Sequence, residues 1–186
     1  MTRQDALIKL KENLSSQNLI KHSLAVEAIM RALARYFKED EEKWGLAGLL
    51  HDIDYEKVQD DLSQHSLTGA KMLEDLGLDQ DICQAVKVHN EAHGIFPENL
   101  MEKSLFATDP LTGLIVAATL VLPSRRIKDL TPENVLNRFK EKSFAKGANR
   151  EIIKKCQDLL NLKLEEFVKI GLEAMQEIDI DLGLVG

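Results

Sequence analysis

The sequence has few cysteines, prolines and glycines and no long run of purely apolar residues. Its two cysteines, Cys83 and Cys156, form no CxxC pair and no disulfide framework, which is typical of a reducing compartment. Glycine and proline number only 10 and 4 among 186 residues, so long linkers and disordered segments are not expected. The most apolar stretch, residues 105–122, contains Asp109, Pro110 and three threonines, which argues against a transmembrane helix. The first residues are too polar for a signal peptide, and we therefore expect a cytoplasmic protein.

The chain has fewer basic than acidic residues. It contains 24 Lys and Arg residues and 31 Asp and Glu residues, which gives a net charge of −7. This balance argues against long nucleic acid or a membrane surface as a partner. β-Strand signals are almost absent, since the chain has no sustained apolar–polar alternation and no Asn-Gly or Asp-Gly turn. The length is sufficient for one sizeable core, and we predict a single all-α domain over residues 1–186.

Apolar residues recur at helical spacing along nearly the whole chain. Ser63, Asp79 and Asn149 are suitable N-caps, Gly77 is a suitable helix stop, and a further helix starts near Ser16. The predicted helices cover about residues 4–14, 16–37, 41–53, 64–76, 80–90, 104–122, 132–140, 150–161 and 162–178.

Three of the five histidines lie on the apolar faces of separate predicted helices. These are His22, His51 and His89. A histidine bonded to a backbone carbonyl in the core would explain each one alone. Together they also suit a divalent cation, for which neutral imidazole is a common ligand.

Two aspartates lie in unusually apolar surroundings. Asp52 follows His51 at the end of an apolar run, and Asp109 is the only charged residue between positions 105 and 122. A buried carboxylate is costly unless a cation or hydrogen bonds compensate it, and a bound metal ion is one such cation. The alternatives are that Asp52 helps to end a helix and that Asp109, followed by Pro110, caps one.

The other two histidines are less informative. His65 falls in the first turn of the helix that Ser63 would cap, where the helix dipole favours the neutral imidazole that a metal requires. An exposed histidine is an equally acceptable interpretation there. His93 precedes Gly94 and is predicted to lie in a surface loop or at a pocket rim.

Two basic clusters interrupt the acidic chain, one at residues 125–128 and the other at residues 140–150. Charged runs of this kind are usually solvated faces. The alternative is an edge that faces a phosphate group.

The ordered set His22, His51-Asp52 and Asp109 resembles the H…HD…D signature of the HD-domain superfamily of metal-dependent phosphohydrolases. His51-Asp52-Ile53-Asp54 is similar to the HDIG form of the motif, with Asp54 in place of the usual glycine. Residues 107–110 are similar to the Ala-Asp-Pro-like segment of the family. The motif-bearing core covers about residues 16–122, and residues 123–186 resemble small HDIG-type hydrolases more loosely.

The resemblance implies an HD-domain-like helical bundle with additional C-terminal helices, built around one or two divalent metal ions. Histidine and carboxylate ligands suit iron, manganese or zinc better than magnesium, with nickel a further option. The implied ligands are His22, His51, Asp52 and Asp109 for a first ion, and His65 and His89 for a second, with Asp52 bridging the two.

The implied reaction is hydrolysis of a phosphate ester or anhydride of a small metabolite or nucleotide by metal-activated water. Asp52 and Asp54 are the candidate catalytic residues, and Asp54 and Asn90 are candidates for orienting ligands or water. The alternative is a non-catalytic metal- or nucleotide-binding regulatory module. The candidates for binding a substrate phosphate by charge-assisted hydrogen bonds are Arg125, Arg126 and Lys128.

Overall fold

A computed structural model describes all 186 residues, and its regular elements are helical, which confirms the predicted all-α class. The only β-type pairing is an isolated bridge between Arg126 and Val185. The helices are α1 (Arg3–Asn13), α2 (Gln17–Phe37), α3 (Glu41–Leu50), α4 (Leu67–Asp75), α5 (Gln80–Val88), α6 (Leu100–Leu120), α7 (Pro132–Lys140), α8 (Arg150–Lys154), α9 (Cys156–Leu160), α10 (Leu164–Glu177) and α11 (Asp179–Leu182). Short 3₁₀ turns cover Leu62–Gln64, Glu91–His93 and Ile127–Asp129.

The two longest helices, α2 and α6, form the centre of the bundle. Helix α2 packs against α3, α6 and α10, and α6 also contacts α5, α7, α8 and α9. Helices α2 and α3 approach closely at Gly48, where a Cβ atom would lie 2.9 Å from the Cα atom of Glu27. Glycine permits this approach because it has no side chain.

One continuous hydrophobic core runs from Ala6 to Leu184, so the C-terminal helices pack on the same core as the motif-bearing helices. None of the helices combines the length and the hydropathy required to cross a membrane.

Most predicted helix starts are confirmed by their capping hydrogen bonds. Ser16, Asp79 and Asn149 each accept a hydrogen bond from a backbone N–H in the first turn of the following helix. Thr131 caps α7 through a capping box, with Pro132 as the first helical residue.

The predicted start of α4 at Ser63 is wrong. Residues 62–64 form a 3₁₀ turn, Ser66 adopts a φ of 70°, and the helix begins at Leu67. No side chain of the flanking segment caps this helix. The carboxylate of Asp54 accepts hydrogen bonds from the backbone N–H groups of Ser66 and Gly69, at 2.8 and 2.7 Å. A residue distant in sequence therefore caps α4.

Three other predicted bounds also differ. Helix α3 ends at Leu50, and residues 51–60 form successive turns. The predicted helix over residues 150–161 is divided at Lys155 into α8 and α9. Helix α6 begins at Leu100 with Asn99 as its cap, so Asp109 lies near its middle. Asp109 is therefore not a helix cap, and Pro110 interrupts the hydrogen-bond ladder inside the helix.

Candidate metal centre

Two adjacent side chains at the end of α3 are buried in the core. His51 is fully buried and Asp52 is 6% exposed. The chain leaves the helix here, and the Nδ1 atom of His51 donates a hydrogen bond to the carbonyl oxygen of Gly48 at 2.8 Å. Because a carbonyl can only accept, the ring proton lies on Nδ1 and the lone pair lies on Nε2.

The same arrangement recurs in three other histidines. His89 Nδ1 donates to the Val86 carbonyl at 2.6 Å, and His65 Nδ1 donates to the Asp54 carboxylate at 2.9 Å. His22 Nδ1 lies 3.0 Å from the Thr112 hydroxyl, which itself donates to the Asp109 carbonyl at 2.9 Å and therefore accepts from His22. All four rings thus keep Nε2 available as a ligand atom, as is usual where a second partner orients a metal-binding histidine.

The four Nε2 atoms converge on two carboxylates. His22 Nε2 lies 3.0 Å from Asp109 Oδ1 and 3.5 Å from Asp52 Oδ2. On the other side, Asp52 Oδ1 lies 3.3 Å from the Nε2 atoms of both His51 and His65, and 3.5 Å from that of His89. Asp52 is therefore the centre of the cluster and uses a different oxygen toward each side.

The donor set fits divalent metal ions. The Nε2 atoms of His22 and His51 face each other at 3.1 Å, although both Nδ1 atoms hold the ring protons, so neither Nε2 has a proton to donate to the other. A cation between such lone pairs resolves this contact. Two groups have ligand atoms that all lie within 4.8 Å of one another, namely His22, His51 and Asp109, and His51, Asp52 and His89.

The electrostatics favour ionised carboxylates. Burial acts to raise the pKa of Asp52, but the charge of His51 and the hydrogen bonds of His51, His65 and His89 hold it well below its usual value. Burial has the same effect on Asp109, and His22 again lowers the pKa of that carboxyl. Burial acts to lower the pKa of His65, but Asp52 and Asp54 raise it to about 10.

An open cavity of about 370 Å³ gives access to the cluster. Five of the six predicted ligands line it, and His51 lies beneath them. No lysine or arginine lines this cavity. The remaining lining residues are Tyr55, Asn90, Glu91 and Asn149, together with the apolar Leu19, Phe106, Pro110 and Ile152.

Comparison with known families matches residues 19–118 to the HD domain. The chain belongs to the HD-domain family. This superfamily consists of metal-dependent phosphohydrolases, in agreement with the resemblance that His22, His51-Asp52 and Asp109 indicated.

Curated relatives fall into two groups. Ribonuclease Y of Lawsonia intracellularis is 30% identical over 140 residues, and that of Oleidesulfovibrio alaskensis is 31% identical over 140 residues. Each match covers 74% of this chain and 27% of the relative, so the chain spans about a quarter of the length of these ribonucleases. An uncharacterised protein of Methanocaldococcus jannaschii is 30% identical over 173 residues, which cover 87% of this chain and 96% of the relative. No solved structure matches.

Asp54 lies outside the cavity of this HD domain. It is fully buried, and its oxygens accept hydrogen bonds from His65 Nδ1 and from the backbone N–H groups of Ser66 and Gly69. A Cβ atom on Gly69 would lie 3.1 Å from the Asp54 carboxyl carbon, so glycine leaves room for this contact. The geometry agrees with a role in orienting His65 and gives Asp54 no direct contact with the cavity.

Asn90 and His93 lie at the edge of the site. Asn90 lines the cavity, and its side-chain oxygen accepts a hydrogen bond from the Ala92 N–H. His93 Nε2 donates to the His65 carbonyl at 2.6 Å, so it supports the backbone of a predicted ligand and is not one of the converging imidazoles.

The structure does not bring Arg125, Arg126 and Lys128 to the cavity. They follow the C-terminal end of α6, whereas Asp109 lies near its middle, about 16 Å from that end at 1.5 Å per residue. Lys128 Nζ instead pairs with Asp179 at 2.9 Å. The predicted contact of these three cations with a phosphate at the metal centre therefore gains no support from the geometry.

Several residues of the site were not anticipated from the sequence. Thr112 lies one helical turn after Asp109, and this spacing on the same face of α6 is a signal that could have indicated it. Glu91 and Asn149 are hydrogen-bonded across the mouth of the cavity at 2.8 Å. No sequence signal joins these two residues, which are 58 positions apart.

Proposed function

We propose that this HD domain is a metal-dependent phosphohydrolase that cleaves a phosphate ester or anhydride of a small phosphorylated metabolite or nucleotide. The observation that carries the proposal is the convergence of four imidazole Nε2 atoms and two ionised carboxylates at the floor of an open cavity. A cytoplasmic setting belongs to the proposal, since both cysteines are free and buried.

The residues present suit one or two ions, with iron, manganese or zinc preferred because the ligands mix imidazole and carboxylate. When bound, such ions activate water and neutralise charge on phosphate oxygens. The first ion would be held by His22, His51, Asp52 and Asp109, and the second by Asp52, His65 and His89.

The rim of the cavity would bind and orient the substrate. The side-chain amides of Asn90 and Asn149 can donate hydrogen bonds to phosphate or sugar oxygens. Phe106, Pro110 and Ile152 form an apolar wall that would limit the access of bulk water to the reacting group.

Two observations bear on the size of the substrate. The similarity to ribonuclease Y favours phosphodiester chemistry on a ribonucleotide. The net charge of −7 disfavours a long nucleic acid, since the phosphate backbone gains affinity from a broad basic surface. We therefore favour a nucleotide or another small phosphorylated molecule.

The decisive experiment combines metal analysis with a screen of phosphate substrates. The full chain, purified without chelators, is expected to contain one or two equivalents of a transition metal and to hydrolyse at least one phosphomonoester, phosphodiester or phosphoanhydride. Asp52→Asn should lose both properties, whereas Asp60→Asn, at an exposed carboxylate, should keep them.

A protein that holds metal but hydrolyses nothing in the screen would support the alternative, a non-catalytic binding module. Full metal content in Asp52→Asn would contradict the assignment of the site.

A further inference from the structure

The largest unexplained feature of the molecule is a basic groove beside the metal centre. We use this name for a cavity of about 560 Å³ whose charged lining residues are five cations and one carboxylate, with Asn149 also in its wall: Lys140, Lys142, Lys146, Arg150, Lys154 and Glu151. Asn149 also lines the cavity of the metal centre, so the two cavities adjoin at this side chain.

The groove concentrates positive charge in an acidic protein. Residues 138–155 contain seven lysines and arginines but only two glutamates, whereas the whole chain has a net charge of −7. The two glutamates are already compensated, because Glu141 pairs with Arg138 at 2.9 Å and Glu151 pairs with Lys154 at 3.2 Å. The ammonium groups of Lys140, Lys142 and Lys146 are left without a carboxylate partner.

The segment that carries these lysines is held in place by Arg150. The guanidinium of this residue donates hydrogen bonds to the backbone carbonyls of Phe144, Ala145 and Ala148. The turn therefore presents Lys142 and Lys146 on a braced backbone, and binding an anion there requires less ordering of the chain.

A third cavity shares Glu91 and Phe106 with the metal-centre cavity, and its other charged lining residues are Asp158 and Lys155. Two carboxylates and one cation therefore line it, so it attracts an anionic group less than the basic groove does.

We propose that the basic groove binds a second phosphate group of the substrate while the phosphate to be cleaved lies at the histidine cluster. The substrate class is then a molecule with at least two phosphate groups, such as a nucleoside bisphosphate, a nucleoside polyphosphate or a short 5′-phosphorylated oligonucleotide. This inference rests on the proposed function, since it assigns the substrate class of the same site.

The test uses two probes that differ by one phosphate, AMP and adenosine 3′,5′-bisphosphate. Their binding to the full chain, with Mn²⁺ bound, is measured by titration calorimetry at low and high salt. The bisphosphate should bind about tenfold more tightly than AMP at low salt, as expected for charge-assisted hydrogen bonds to one added phosphate. This advantage should decrease at high salt. ADP and a 5′-phosphorylated RNA dinucleotide then distinguish adjacent phosphates from phosphates separated by a sugar.

The variant K142E/K146E should lose the advantage of the bisphosphate and leave AMP binding unchanged, because both lysines are exposed and make no ion pair. The matched control is R125E/R126E, which reverses two exposed charges at the distant cluster and should retain the advantage. Equal affinity for both probes, or an equal loss in both variants, would overturn the inference.

Failure of this inference is distinguishable from failure of the proposed function. Hydrolysis of single-phosphate probes without any binding advantage for the bisphosphate would refute phosphate binding in the groove. It would leave the proposed phosphohydrolase activity standing. A binding advantage confined to the groove, without hydrolysis of any probe, would refute the phosphohydrolase and leave the anion site.

Discussion

Two buried carboxylates, one on α2 and the other just after the end of α3, are compensated in opposite ways. Glu27, on α2, is 2% exposed and accepts hydrogen bonds from Arg3 at 2.6 and 2.8 Å and from Arg31 at 3.0 Å. Asp52 is buried to a similar degree, and its basic partners within 4 Å are all imidazoles.

The contrast separates a structural ion pair from a ligand site. Glu27 is balanced by cations that the chain itself supplies, so it can connect α1, α2 and α3 without any external group. Asp52 and Asp109 are balanced only by rings whose Nδ1 protons are directed to other acceptors. A buried cluster that is rich in acceptors and poor in cations is the arrangement expected where the cation comes from solution.

The largest expected effect concerns Asp52. Asp52→Asn should lower the affinity for metal more than 100-fold, because loss of a bridging ligand should exceed the 10–100-fold cost of losing an outer partner. Measurement of metal content and of competitive chelation checks this prediction. The stability of the metal-free protein should change little or increase. A large loss of metal-free stability would indicate that Asp52, like Glu27, has a structural role.

Glu27→Gln should produce the reverse pattern. The free energy of unfolding should fall by about 3 kcal/mol, because the arginines are left beside a buried neutral amide. Denaturant titration measures this change, and metal content should remain that of the parent chain. The control is Glu12→Gln at an exposed pair with Lys9, where the expected cost is below about 1 kcal/mol. Equal costs at both positions would remove the basis of the comparison.

Metal addition should stabilise the protein through the histidine cluster alone. At a free metal concentration of about 100 times Kd, the free energy of unfolding should increase by about 2.7 kcal/mol. Thermal melts in chelator and in excess Mn²⁺ measure this difference. The increase should persist in Glu27→Gln and vanish in Asp52→Asn, and its persistence in both variants would place the ion elsewhere.

Asp54→Asn should have a smaller effect that is specific to one ion. Loss of the carboxylate that accepts from His65 should lower the affinity for the second ion about tenfold, within the usual range for outer partners. The first ion, which His65 does not contact in our assignment, should bind as before. Stepwise metal titration separates the two ions, and Asp60→Asn is the matched control.

The smallest expected effect is at Thr112. Thr112→Val removes the hydroxyl that accepts a hydrogen bond from His22. The affinity for the first ion should fall about fivefold, which corresponds to one hydrogen bond of roughly 1 kcal/mol. Thr112→Ser keeps the hydroxyl and should behave as the parent chain in the same titration. An equal loss in both variants would show that packing, and not the hydrogen bond, orients His22.

Much of the site was predictable because the spacing of residues along a helix determines which side chains share one face. His22, His51 and His89 follow apolar stripes, so each was predicted to face the core, and the structure brings all three together. Asp109 was conspicuous as the only charge in an apolar stretch, and it lines the cavity. His65 was anticipated only by its order in the motif, and its predicted helical setting is wrong.

The sequence by itself determined the helical class and most helix bounds, because these depend on local spacing and capping. The proposed ligands came from apolar spacing together with the resemblance to the HD-domain signature. Tertiary structure alone decided which groups sit around these ligands. Asp54 caps α4 from 12 and 15 residues away, and Asn149 reaches Glu91 across 58 residues. It also decided which basic cluster lies near the cavity. The length of α6 carries residues 125–128 away, whereas Asn149 and Ile152 reach the cavity and the lysines around them line the adjoining groove. Such pairings depend on the packing of whole helices, and no local pattern of residues encodes them.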